Sequence, residues 1–179
     1  MGIISKMKIR TKFFGEIDID DEQVILFPFG IYGFEEYTRF VLLHDEEDGT
    51  GIFRWLQCAD EEALCFTVME PAMIFGDYSP KLPENALRRL GADDGDEVDG
   101  EDLIYLVITL IRDEIETSTV NLLSPIIINS RNKVAAQIIL DSNEPRNSGY
   151  KTKHKIFDFD VDSDAGSGGQ GGGFAACLS

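Results

Sequence analysis

Nucleophilic catalysis needs a serine or cysteine beside a positioned base, and this chain supplies few bases. Its two histidines are His44, which closes an apolar run, and His154, inside the basic segment Lys151–Lys155. Neither stands in a nucleophile motif, and both read as surface residues. The three cysteines, Cys58, Cys65 and Cys177, are odd in number and scattered. No Cys/His spacing suits zinc. Cys58 and Cys65 lie among apolar residues, where a thiol packs as a small hydrophobe, and a reducing cytoplasm fits this usage. The run Gly166–Gly173 has the glycines of a phosphate loop but neither its lysine nor a preceding strand. Asp158, Asp160 and Asp162 alternate as calcium ligands do, yet Ser163 stands where glycine is required and no glutamate closes the loop. Carboxylate pairs for hydrolysis are so abundant among 33 acidic residues that none stands out. The expectation is a protein that catalyses nothing and holds no metal or cofactor.

Charge says more than any single group. Lys and Arg total 16 against 33 Asp and Glu, a formal net charge of −17 over 179 residues. Such a field repels phosphate backbones, which argues against direct nucleic-acid binding. It favours encounter with basic partners, including proteins that themselves hold RNA. Lys6, Lys8, Arg10 and Lys12 make a basic start, and acidic clusters follow at Glu16–Glu22, Asp45–Asp48, Asp60–Glu62, Asp93–Asp102 and Asp113–Glu116. No apolar run approaches the roughly 20 residues of a membrane span, and the amino end lacks a signal-peptide hydrophobic region.

The elements that must carry these residues are mostly strands. Hydrophobic residues make up 43% of the chain, enough for one domain with a core. Met7–Phe13 and Glu16–Asp20 read as strands about Gly15, with Ile17 and Ile19 on one face and the acids on the other. Val24–Phe27 stops at Pro28, and Gly30 and Gly33 punctuate a turn-rich loop where positive φ is expected. Arg39–His44, Phe53–Cys58 and Leu64–Met69 follow as strands, with Trp55, Leu56 and Phe66 assigned to the core. Pro83, the spacing of Leu82, Leu87 and Leu90, and the stop at Gly91 predict a helix. Ala92–Asp102 reads as a solvated acidic loop. Leu103–Ile111 reads as a strand buried on both faces. Val120–Leu123, Ile126–Ile128 and Val134–Leu140 complete the set, with Asn121 and Asn129 expected to satisfy backbone groups near Pro125. Many short strands with one or two short helices predict a mainly β, antiparallel barrel-like single domain over residues 1–157. Residues 158–179 read as an acidic, Gly/Ser-rich disordered tail.

Several motifs then fall in a recognisable order. They are Thr11-Lys12-Phe13-Phe14-Gly15-Glu16, then Phe27-Pro28-x-Gly30-x-x-Gly33-Phe34-Glu35, then Arg39-Phe40-Val41-Leu42-Leu43. Trp55-Leu56-Gln57, Phe66, Pro71 and Asp77-Tyr78 follow, and the carboxyl half adds Asn121-Leu122-Leu123-x-Pro125-Ile126-x-x-Asn129 and Gln137-x-x-Leu140. In this order they resemble the flagellar assembly factor FliW family over about residues 7–157. The resemblance implies a compact, mostly antiparallel β-barrel-like domain acting in the cytoplasm as a monomer. It implies two partners, flagellin and the RNA-binding translational repressor CsrA. Free of flagellin, such a protein captures CsrA away from its RNA-contacting residues and relieves repression of flagellin mRNA. The alternative within this resemblance is a flagellin-specific export chaperone with no CsrA regulation. An enzyme using a carboxylate pair is the competing class. For partner contacts, the loops between strands offer Glu16, Phe34, Glu35, Asp77 and Tyr78, followed by Asn121 and Leu122.

Overall fold

A computed structural model describes residues 6–44, 51–92 and 98–156. The chain forms a hairpin, β1 (Lys6–Thr11) and β2 (Gly15–Asp20), then β3 (Val24–Leu26), β4 (Arg39–Leu43), β5 (Phe53–Cys58) and β6 (Cys65–Met69). A short helix α1 (Ala86–Arg89) precedes β7 (Leu103–Leu110), β8 (Thr119–Val120), β9 (Ile126–Asn129), β10 (Val134–Gln137) and β11 (His154–Lys155). Five further 3-10 turns link them. The expected Asp45–Asp48 cluster, residues 93–97 of the expected Ala92–Asp102 loop, and all of the expected tail lie outside the described residues.

Seven strands close a ring in the order β3-β4-β5-β6-β7-β9-β10, because β7 pairs with β6 on one side and β9 on the other. Every ring strand sends a residue into one cluster: Ile25, Phe40, Leu56, Val68, Leu106, Ile126 and Ala135 are all buried. Alternate side chains of a strand point to opposite faces, so this shared cluster is the barrel interior. Phe27 joins it and meets Phe40 edge-on at 4.9 Å. Each of the larger side chains contributes about 2 kcal/mol by leaving water.

The outward-facing residues are apolar too, and two coverings bury them. Met69, Val107, Ile127 and Ala136 face a second cluster capped by Ala86 of α1, by Leu90 just after it, and by Leu140, Tyr150 and Ile156. On another side the hairpin lays Ile9 and Ile19 onto Val41 of β4. This double burial explains why β7 and β9 lack a simple apolar/polar alternation.

The expected mainly β, antiparallel barrel-like fold is what the structure shows, and several details differ from the sequence expectation. All ring pairings are antiparallel except β10 with β3, which run parallel and meet at Val134↔Leu26. No crossover helix is needed there, because the intervening strands travel round the barrel. β7 is not buried throughout: Leu106 and Val107 are sealed, but Ile104 and Leu110 at its ends stay exposed. The strand expected at Val120–Leu123 is only Thr119–Val120, since Asn121 turns the chain. Helix α1 is four residues long and buries Ala86 with the following Leu90, leaving Leu87 exposed. Of the assigned core, Leu56 is sealed while Trp55 and Phe66 are half-buried.

Candidate functional site

The loop between β3 and β4 is pinned at several points. Phe27 and Ile31 plug into the core, and the chain between them turns at Gly30, φ +62°. The Phe34 N–H donates to the Ile31 carbonyl at 2.7 Å. Gly33, φ +85°, donates its N–H to the Glu35 carboxylate at 2.9 Å. That bond holds the Glu35 carboxyl below its usual range. Its contribution to the loop is therefore present when the carboxylate is ionised and fades as acid protonates it. The Tyr32 N–H donates to Gln137 Oε1 of β10 at 3.1 Å, so the loop is tied across the seam where the barrel closes.

A loop fixed this firmly nevertheless presents large side chains to water. Phe34 leans edge-on against Phe66 at 5.4 Å and keeps about a third of its surface exposed. Phe29 and Tyr32 are about half exposed. The Arg89 guanidinium at the end of α1 lies over both rings, 5.3 Å from Phe29 and 6.0 Å from Tyr32. Sequence reading passed over Phe29, Tyr32 and Arg89. The available signal was two aromatics within a glycine-punctuated loop, but nothing local tied Arg89 to them.

The other expected contact residues lie elsewhere. The Tyr78 hydroxyl donates to the Leu122 carbonyl at 2.8 Å, and its ring packs on Tyr150 (4.6 Å) and Tyr105 (6.0 Å). Burial pushes the Tyr78 phenol well above its usual range. Leu122 is fully buried and offers a partner no side-chain surface in this fold. Asn121 Oδ1 accepts the Leu123 N–H at 3.1 Å and so shapes the turn before Pro125. Asp77 is exposed beside this wall. Glu16 stands apart on the hairpin, where its carboxylate meets Lys8 at 3.2 Å. The structure thus unites Phe34 with Glu35, and Tyr78 with Leu122, but does not gather the seven into one patch.

Three of the basic amino-terminal residues face acids across the hairpin, and Lys8 forms ion pairs with Glu16 and Asp18. The register sets Lys6 opposite Asp20, Lys8 opposite Asp18 and Arg10 opposite Glu16. Glu16 and Asp18 together hold the Lys8 ammonium above its usual range. Between Tyr78 and Tyr105, Arg54 and Glu70 line a shallow depression and satisfy each other at 2.6 Å. No group of three or more His, Cys, Asp or Glu side chains that could hold a metal occurs among the described residues. No helix among them is long and apolar enough to cross a membrane.

Of the two described thiols Cys58 is buried and Cys65 is half-buried. Burial pushes Cys58 up and Cys65 up to about 11, leaving roughly one Cys65 in ten thousand as thiolate at neutral pH. Native protein is expected to react with iodoacetamide at neither residue until denaturant is added. Rapid labelling of Cys65 in the native state, read by peptide mass spectrometry, would contradict this placement.

Comparison with known proteins gives this geometry a context. The family model described as FliW protein matches residues 8–156. The flagellar assembly factor FliW of Alkaliphilus metalliredigens is 35% identical over 152 residues, spanning 85% of this chain and 87% of that protein. Its counterpart in Caldanaerobacter subterraneus is 38% identical over 152 residues, spanning 85% and 94%. A crystal structure of the flagellar assembly factor FliW superposes with a TM-score of 0.74 at 35% identity, covering 87% of this chain and all of that one.

Proposed function

Since the chain belongs to the FliW family of flagellar assembly factors, we propose that it is a two-partner binding switch. It binds flagellin in the cytoplasm. When free of flagellin it binds CsrA and allosterically antagonises it, relieving repression of flagellin mRNA translation. It turns over no substrate and works as a monomer.

The observation that carries this reading is the match across the whole barrel, from residue 8 to 156. The net charge of −17 supports the CsrA half, because an acidic surface is steered toward a basic RNA-binding protein and adds negative potential near its RNA path. Purified chain, flagellin and CsrA test it together. Each partner is expected to bind alone, and added flagellin is expected to release CsrA. The CsrA association rate should fall about tenfold or more between low and high salt. Binding of flagellin alone would leave an export chaperone; binding of neither partner would overturn the proposal. A salt-independent rate would remove electrostatic steering from it.

A further inference from the structure

We infer that the patch formed by Phe29, Tyr32 and Arg89 is a docking site for a partner segment carrying a carboxylate between apolar side chains. On the reading above, on which this inference rests, flagellin supplies that segment.

The first argument is chemical. The Arg89 guanidinium lies over two rings and makes no hydrogen bond to any described residue. A planar guanidinium set against aromatic faces keeps its edge donors for a ligand, and their fork matches a carboxylate. The rings around it, about half exposed, offer apolar surface to the side chains on either side of that carboxylate. Tyrosine and arginine are the residue types that dominate binding energy at protein interfaces.

The second argument is preorganisation. Both halves of the patch are fixed before any partner arrives. Phe29 and Tyr32 flank buried Ile31 in a loop pinned by Gln137 and Glu35. Arg89 is followed by fully buried Leu90, whose carbonyl accepts hydrogen bonds from Asn129 (3.3 Å) and Asn132 (3.1 Å). Little conformational freedom remains to be lost on binding, which is the cost that most weakens loop-based contacts.

The third argument is charge, and it separates the two partners. A basic protein is attracted to the acidic bulk of this chain, but at Arg89 it would meet a cation. A carboxylate-bearing segment is repelled by the bulk and welcomed here. The patch therefore suits flagellin and leaves CsrA to a different surface.

The test is calorimetric titration of the full chain with purified flagellin and, separately, CsrA. Arg89→Gln is expected to weaken flagellin binding about tenfold or more, and Phe29→Ala by a similar factor. Arg89→Lys should restore little, because an ammonium lacks the planar fork. CsrA affinity should stay within about twofold of wild type in all three. Thermal midpoints, expected to be unchanged for these partly exposed positions, confirm folding. Flagellin affinity unaltered by the substitutions overturns the site alone. Loss of CsrA binding instead, or a wild-type dimer that Arg89→Gln dissolves, assigns the patch to another occupant and also overturns it. Failure of wild-type protein to bind flagellin removes the underlying reading together with this one.

Discussion

Gly30→Ala is expected to destabilise the protein by about 3 kcal/mol, from left-handed strain and overpacking together. At φ +62° an added Cβ would stand 2.5 Å from the Glu35 Cα, 2.7 Å from its carbonyl oxygen and 2.8 Å from its carbonyl carbon. All three are backbone atoms, so no side-chain rotation relieves the clash. Moving Glu35 would also break the Gly33–Glu35 bond and draw the Ile31 plug from the core. Gly33→Ala provides the control. It shares a positive φ of +85° but meets nothing within 4 Å, so it should cost only about 1 kcal/mol of strain. Urea denaturation of both variants measures the difference. Equal losses at the two positions would show that close approach at Gly30 contributes nothing.

Gln57→Leu is the second large effect, also about 3 kcal/mol. Gln57 is almost fully buried, and its amide organises a region that has no strand pairing of its own. Nε2 shares its two hydrogens among four carbonyls within reach, those of Cys58 (3.0 Å), Glu61 (3.1 Å), Glu62 (3.2 Å) and Leu64 (3.2 Å). Oε1 accepts the Lys12 N–H at 3.0 Å. Leucine fills similar space but leaves these backbone groups without that partner, and those of Cys58 and Leu64 are buried. Gln57→Glu should be at least as harmful, because a carboxylate would face carbonyl oxygens. The bond to Lys12 also holds the hairpin tip, where Phe14 packs edge-on against Trp55 at 5.4 Å. Trp55 is the single tryptophan, so its emission should shift in Gln57→Leu at denaturant concentrations that leave wild type intact. Wild-type stability with unchanged emission would sink the account.

Much of the barrel was legible because strand signals are local. Arg39–Leu43 and Phe53–Cys58 emerge within a residue of their observed bounds, since apolar runs ended by acidic turns are informative on their own. Positive φ at Gly30 and Gly33 was legible for the same reason. What stayed hidden depends on partners distant in sequence. Trp55 carries a core residue's chemistry, yet it faces outward under Phe14 and stays half-buried. Leu122 sat in a loop motif and read as available, but Tyr78, 44 residues away, caps its carbonyl. Arg89 has no local signal of its own, and only the fold sets it over Phe29 and Tyr32.

The parallel pairing of Leu26 with Val134 bears on the order of assembly. Most neighbours in the ring are also close in sequence and can zip up as hairpins, each at small entropic cost. The β3–β10 contact joins residues more than a hundred positions apart, and long-range closure must wait until the intervening strands have drawn the ends together. Its ladder is one register pair reinforced by the Leu26 N–H donating to the Lys133 carbonyl at 2.8 Å, with the Tyr32–Gln137 bond alongside. The last stave to enter this barrel is thus its most lightly fastened. Because the loop bearing Phe29, Tyr32 and Phe34 begins directly after it, the newborn chain completes its barrel and its candidate docking loop in the same step.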